Sequence, residues 1–148
     1  MDNYVELDID IKNVDVEVAE VVFKLLSERL IVVIRNQTTN NIYLSRLIHQ
    51  MSRIANYEQM TWNRHGDMIG RPKDYIDPTT VDTYPCQRVT GMKTPDGKYA
   101  GIFPTGELKW HANLNGPTRA DGVALQAIDG AEGTETQWLN TAHALSVM

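Results

Sequence analysis

The first 54 residues change hydrophobic period three times, and this restricts the fold more than any other feature of the chain. In "YVELDIDI", Tyr4 to Ile11, apolar and polar residues alternate with the period of a half-buried strand. Then Val18, Val21, Val22, Leu25 and Leu26 recur at helical spacing behind Asp15, a residue that can cap a helix start. A short β-branched run from Leu30 to Ile34, bounded by the turn-prone Asn36, reads as a buried strand. Asn40 or Asn41 can open a second helix whose apolar stripe is Leu44, Leu47, Ile48, Met51 and Ile54. The expected order is strand, helix, strand, helix.

Periodicity then stops. Between Tyr57 and Pro85 the chain is broken by Gly66, Gly70, Pro72, Pro78 and Pro85, which predicts a long functional or mobile loop. From Cys86 onward β signals return in "CQRVTGM", "KYAGIF", "GVALQAI" and "TETQWLN", with a turn at Pro95-Asp96-Gly97. Short strands after an α/β start suggest a β-sandwich or barrel with helices on one face. The 148 residues suffice for a single domain, 1–148, with a real core.

Composition removes several function classes. The net charge of −5 is dispersed, so there is no basic footprint for nucleic acid or anionic membrane. The acidic start "MDNYVELDID" lacks the features of a signal peptide, and no apolar run reaches membrane-spanning length. The one cysteine, Cys86, cannot form an internal disulfide and reads as a core residue. A cytoplasmic protein that binds neither nucleic acid nor membrane is expected.

The chemistry-bearing stretch is "GELKWHANLNGP", Gly106 to Pro117. A His-x-Asp/Glu pair on a strand can supply two of the three protein ligands of a non-haem iron(II) site, because residues two apart point the same way. Here His111 is followed by Asn113, an amide at the carboxylate position. His65 and Asp67 meet the spacing literally, but they flank Gly66 in a loop and read as a chance match. His49 lies near the apolar stripe of the second helix and reads as structural. Trp62 and Trp138 read as core aromatics.

"DGKYAGIFPTGELKWHANLNG", followed by "GVALQAIDGAEGTETQWLNTAHAL", resembles the taurine dioxygenase and clavaminate synthase-like family of iron(II)- and 2-oxoglutarate-dependent oxygenases. The resemblance extends loosely to the N-terminal strand, helix and "VVIRNQ", and is tight from Asp96 to Leu145. It implies a distorted double-stranded β-helix, or jelly roll, of mainly β α+β class, present in part, with the N-terminal helices packed outside it. It also implies a dioxygenase, an oxidoreductase that couples decarboxylation of 2-oxoglutarate to oxidation of a substrate C–H bond.

By the same resemblance His111 falls on the first iron-binding histidine and Asn113 on the carboxylate ligand. Thr136 falls on the threonine that helps to hold 2-oxoglutarate, while Thr134 stands where the turn's second glycine would be. Trp110 falls on the aromatic residue before the first iron-binding histidine, and Glu107 where substrate-pocket residues are expected; Arg88, in "QRVTG", reads either as a surface arginine or as a cation on a strand close to that pocket. The family's distal histidine and its 2-oxoglutarate-binding arginine lie far downstream of the first histidine, and His143 is not at the distal position. The chain therefore resembles the N-terminal half of such an enzyme, or a reduced relative with an altered metal site. The alternative expectation is a non-catalytic binding or assembly protein that keeps the fold. A half jelly roll would expose strand edges and so favour a homo-oligomer.

Overall fold

The computed structural model describes residues 4–37, 40–55, 89–101, 103–111, 122–129, 132–133 and 135–148. Strand β1 is Tyr4–Leu7, helix α1 Val16–Arg29, strand β2 Ile31–Ile34, helix α2 Asn41–Ile54 and helix α3 Thr141–Ser146. The expected strand-helix-strand-helix order is present at the N-terminus. β1 is shorter than its alternating pattern because the Asp10 carboxylate accepts from the Lys12 amide and starts a single 3-10 turn at Ile11–Asn13. That turn directs Ile11 inward, where it is buried.

Each helix begins at a side-chain cap. The Asp15 carboxylate accepts from the Val18 amide at 2.8 Å and the Asn40 amide oxygen from the Ile42 amide at 3.0 Å, satisfying donors that the first turn leaves open. α1 ends at Leu30, whose left-handed φ of 68° lets its N–H reach the Leu26 carbonyl and turns the chain directly into β2.

β1 and β2 pair in parallel, Tyr4 with Ile31 through Leu7 with Ile34. A parallel pair requires a crossover, and α1 is that crossover. Leu7, Val32 and Ile34 join a core built around Ile11, Ala19, Val22 and Leu47, to which α2 contributes Leu44, Met51 and Ile54. The α1 stripe is narrower than its valines suggest. Ala19 and Val22 are buried, while Val21 is 54 % exposed.

The jelly roll expected for the chain is not the fold observed, nor is the mainly β class. Among the described residues there is one two-stranded parallel sheet and three helices. The described residues of "GVALQAI" and "TETQWLN" form no ladder, and Val123, Leu125, Ile128, Trp138 and Leu139 are exposed. The physical reason is that β-propensity expresses fit to a half-buried pleated surface supplied by neighbouring strands. Without those neighbours, the described residues of these short apolar runs stay outside any sheet.

The predicted turn at Pro95-Asp96-Gly97 does form. Around it Lys93 and Tyr99 make an isolated antiparallel bridge, with Thr94 N–H donating to the Lys98 carbonyl and Ala100 N–H to the Met92 carbonyl. The Asp96 carboxyl lies below its ordinary value because the Thr94 hydroxyl donates to it and because of the Lys98 ammonium 3.1 Å away. Cys86, Trp62, the His65-Asp67 pair and the loop from Tyr57 to Pro85 lie outside the described residues. Among the described residues no helix is long and apolar enough to cross a membrane.

Candidate functional site

The Trp-His segment follows a turn whose backbone is set by Phe103, at a φ of 50°. From Gly106 to His111 the chain is exposed and has no regular structure. His111 is therefore not on a strand, and the rule that residues two apart share a side cannot be used to orient Asn113. Asn113 itself lies outside the described residues, as does Arg88.

What the structure provides at His111 is a defined hydrogen bond. The ring Nδ1 lies 2.8 Å from the Lys109 carbonyl oxygen. A carbonyl only accepts, so this geometry puts a proton on Nδ1, and in the neutral ring the lone pair is then on Nε2. Metal-binding histidines are usually prepared in this way, with one nitrogen donating to a carbonyl or carboxylate and the other left for the ion. The His111 ring also lies against Phe103, with centroids 6.4 Å apart and planes tilted by 39°.

The other expected site residues are more dispersed. Glu107 and Trp110 are exposed, Trp110 at 66 %. Thr136 is exposed in an irregular segment that leads into α3, where the strand expected for it is absent. α3 follows this segment and is capped by the Asn140 side-chain oxygen, which accepts from the His143 amide. Among the described residues no three His, Cys, Asp or Glu side chains come together as a metal cluster.

Two partners of His111 escape sequence reasoning: the Lys109 carbonyl, which is main chain, and Phe103. "GIFP" reads as the end of a strand, and nothing in it signals a left-handed phenylalanine. Iron(II) with 2-oxoglutarate, the pair implied by the resemblance, fits the described donor at one point, the imidazole Nε2 of His111, since imidazole suits iron. Comparison with known proteins adds no assignment: no family profile, no curated protein and no solved structure matches this chain.

Proposed function

We propose that the chain carries part of an iron(II)- and 2-oxoglutarate-dependent oxygenase site that oxidises a small molecule. The observation that supports this reading is the hydrogen bond between His111 Nδ1 and the Lys109 carbonyl, which in the neutral ring leaves the Nε2 lone pair open to a cation. It occurs within the Trp-His-x-Asn segment, whose sequence resembles the first-ligand segment of that family. In this reading Asn113 would supply a neutral amide oxygen as the second ligand. Thr136 would help to hold a carboxylate of 2-oxoglutarate, and Glu107, Trp110 and Arg88 would belong to the substrate side.

When bound, the metal and co-substrate supply the oxidising chemistry, and the residues of this chain bind and orient. A neutral amide leaves more of the ion's charge uncompensated than a carboxylate does, so cation affinity is low compared with a site of full charge. Anaerobic titration calorimetry with Fe(II) tests the reading: the wild-type chain should bind one equivalent and His111→Ala should bind none. Equal heats from the two chains would remove His111 from the site.

The exposed apolar side chains favour a second reading. Trp110, Leu125, Trp138, Leu139 and Leu145 are each more than half exposed, which suits a non-catalytic assembly protein. Such a protein would self-associate in sedimentation velocity and give no iron-dependent heat.

A further inference from the structure

We infer that Asp96–Gly97 is a site of spontaneous covalent modification, isomerisation to isoaspartate, and that Thr94 holds the reaction back by engaging both of its reacting groups. This is independent of the reading of His111. The Gly97 backbone nitrogen attacks Asp96 Cγ, a nitrogen–carbon bond forms, and the Cγ–OH bond of the protonated carboxyl breaks. The hydroxyl leaves with the amide proton as water, giving a succinimide. Water then adds at either ring carbonyl and returns aspartate or yields isoaspartate, so the net change is an isomerisation that needs no other reactant. Glycine after aspartate favours the attack, because no Cβ obstructs the approach and the backbone reaches conformations closed to other residues.

Steric shielding does not protect this bond. Asp96 and Gly97 are exposed, and a Cβ placed at Gly97, where φ is +82°, would meet no atom within 4 Å. Hydrogen bonds protect it instead. The nucleophile, the Gly97 N–H, donates to the Thr94 carbonyl at 2.8 Å. The electrophile, the Asp96 carboxylate, accepts at Oδ1 from the Thr94 hydroxyl, and its Oδ2 lies 3.1 Å from the Lys98 ammonium. That hydroxyl is itself fixed in the turn, 2.9 Å from the Lys98 carbonyl. Ring closure must swing Asp96 Cγ onto the Gly97 nitrogen, and so it breaks both Thr94 hydrogen bonds.

The same contacts, the Thr94 hydroxyl first, favour the ionised carboxyl, and a carboxylate is a poorer electrophile than the neutral acid. An isoaspartyl linkage routes the main chain through the side chain and lengthens it by one carbon. The Thr94–Lys98 hydrogen bond and the Lys93–Tyr99 bridge then lose their register.

The test is an ageing experiment on the full chain, in mildly acidic buffer and in parallel in urea. Isoaspartate at residue 96 is counted by peptide mapping with electron-transfer mass spectrometry, which distinguishes the two isobaric linkages. Mapping also separates this bond from the other Asp–Gly pairs, Asp121–Gly122 and Asp129–Gly130. In buffer, Thr94→Ala should isomerise about two- to tenfold faster than the wild type, the scale of one exposed hydrogen bond. The wild-type chain in urea should be faster still, and Thr94→Ser, which keeps the hydroxyl, should return the wild-type rate. None of the residues that build the core comes from the hairpin, so the N-terminal unit of each variant should keep its circular dichroism spectrum. Equal wild-type rates in buffer and in urea would overturn the protection. An unchanged rate in Thr94→Ala, or a Thr94→Ser rate equal to that of Thr94→Ala, would overturn its assignment to the Thr94 hydroxyl. Absence of isoaspartate at residue 96 even in urea would overturn the modification itself.

Discussion

Replacing Gln37 with alanine should destabilise the N-terminal unit by about 2 kcal/mol, although Gln37 lies outside every helix and strand. Its amide oxygen accepts from the Ile11 N–H at 2.8 Å, and its amide nitrogen donates to the Ile9 carbonyl at 2.8 Å and also to the Arg35 carbonyl. One side chain beyond β2 thus satisfies the main chain between β1 and α1. Ile11 is only 4 % exposed, so its N–H cannot readily exchange this partner for water. Two partly buried hydrogen bonds at about 1 kcal/mol each give the estimate, and the exposed Arg35 bond adds little. Gln37→Glu should be at least as damaging at neutral pH. A carboxylate can accept from Ile11 but cannot donate, and it sets a negative charge against two carbonyl oxygens. Urea unfolding followed by circular dichroism gives the free-energy change, and hydrogen exchange at the Ile11 amide gives its location. A loss below about 0.5 kcal/mol, the level of an ordinary surface change, with Ile11 protection unchanged, would refute the bridging role.

Leu47→Ala, at a 3 % exposed position where α2 packs on α1, should cost about 2–5 kcal/mol in the same urea assay. The Glu6 carboxyl is held below its ordinary value, first by the hydrogen bond donated by Arg35 at 2.7 Å. Its contribution is therefore complete above the unfolded-state value and lost as pH falls through the depressed folded value. Glu6→Gln should lower the urea midpoint slightly at neutral pH, the effect being small because both partners are exposed, and leave it unchanged below the depressed folded value, so that the midpoint varies less across the acidic window than in the wild type. Asn113→Asp should raise Fe(II) affinity measured anaerobically, because a charged oxygen replaces a neutral one. Equal affinities would show that position 113 is not a ligand.

The helices were legible because their signals are local. Asp15 and Asn40 cap the two long helices at the positions their side chains suggest, and the spacing of Leu44, Leu47, Met51 and Ile54 finds the inner face of α2. Ile42 and Ser45 on the same helix are also buried but break the stripe, and only packing reveals them. β2 was legible as an apolar run, whereas its parallel pairing with β1 was not, because register depends on where α1 returns the chain. Past residue 88 the signals were of the kind that need a partner. Val123 and Leu125 have strand-like side chains, but a strand exists only where another strand accepts its hydrogen bonds. At the candidate site the sequence singles out His111 by residue type and setting alone. The Lys109 carbonyl that selects its tautomer, and the left-handed Phe103 beside it, belong to the backbone and leave no mark in residue order.

The central claim is that His111 binds iron through Nε2 in a site shared with 2-oxoglutarate. Its most direct test is an anaerobic Fe(II) titration of the wild-type chain and of His111→Ala, each with and without 2-oxoglutarate. If metal and co-substrate share the site, 2-oxoglutarate should tighten Fe(II) binding to the wild-type chain, and Fe(II) should tighten 2-oxoglutarate binding by the same factor. His111→Ala should abolish both effects. Fe(II) affinity that is indifferent to 2-oxoglutarate, or a coupling that survives His111→Ala, would contradict it.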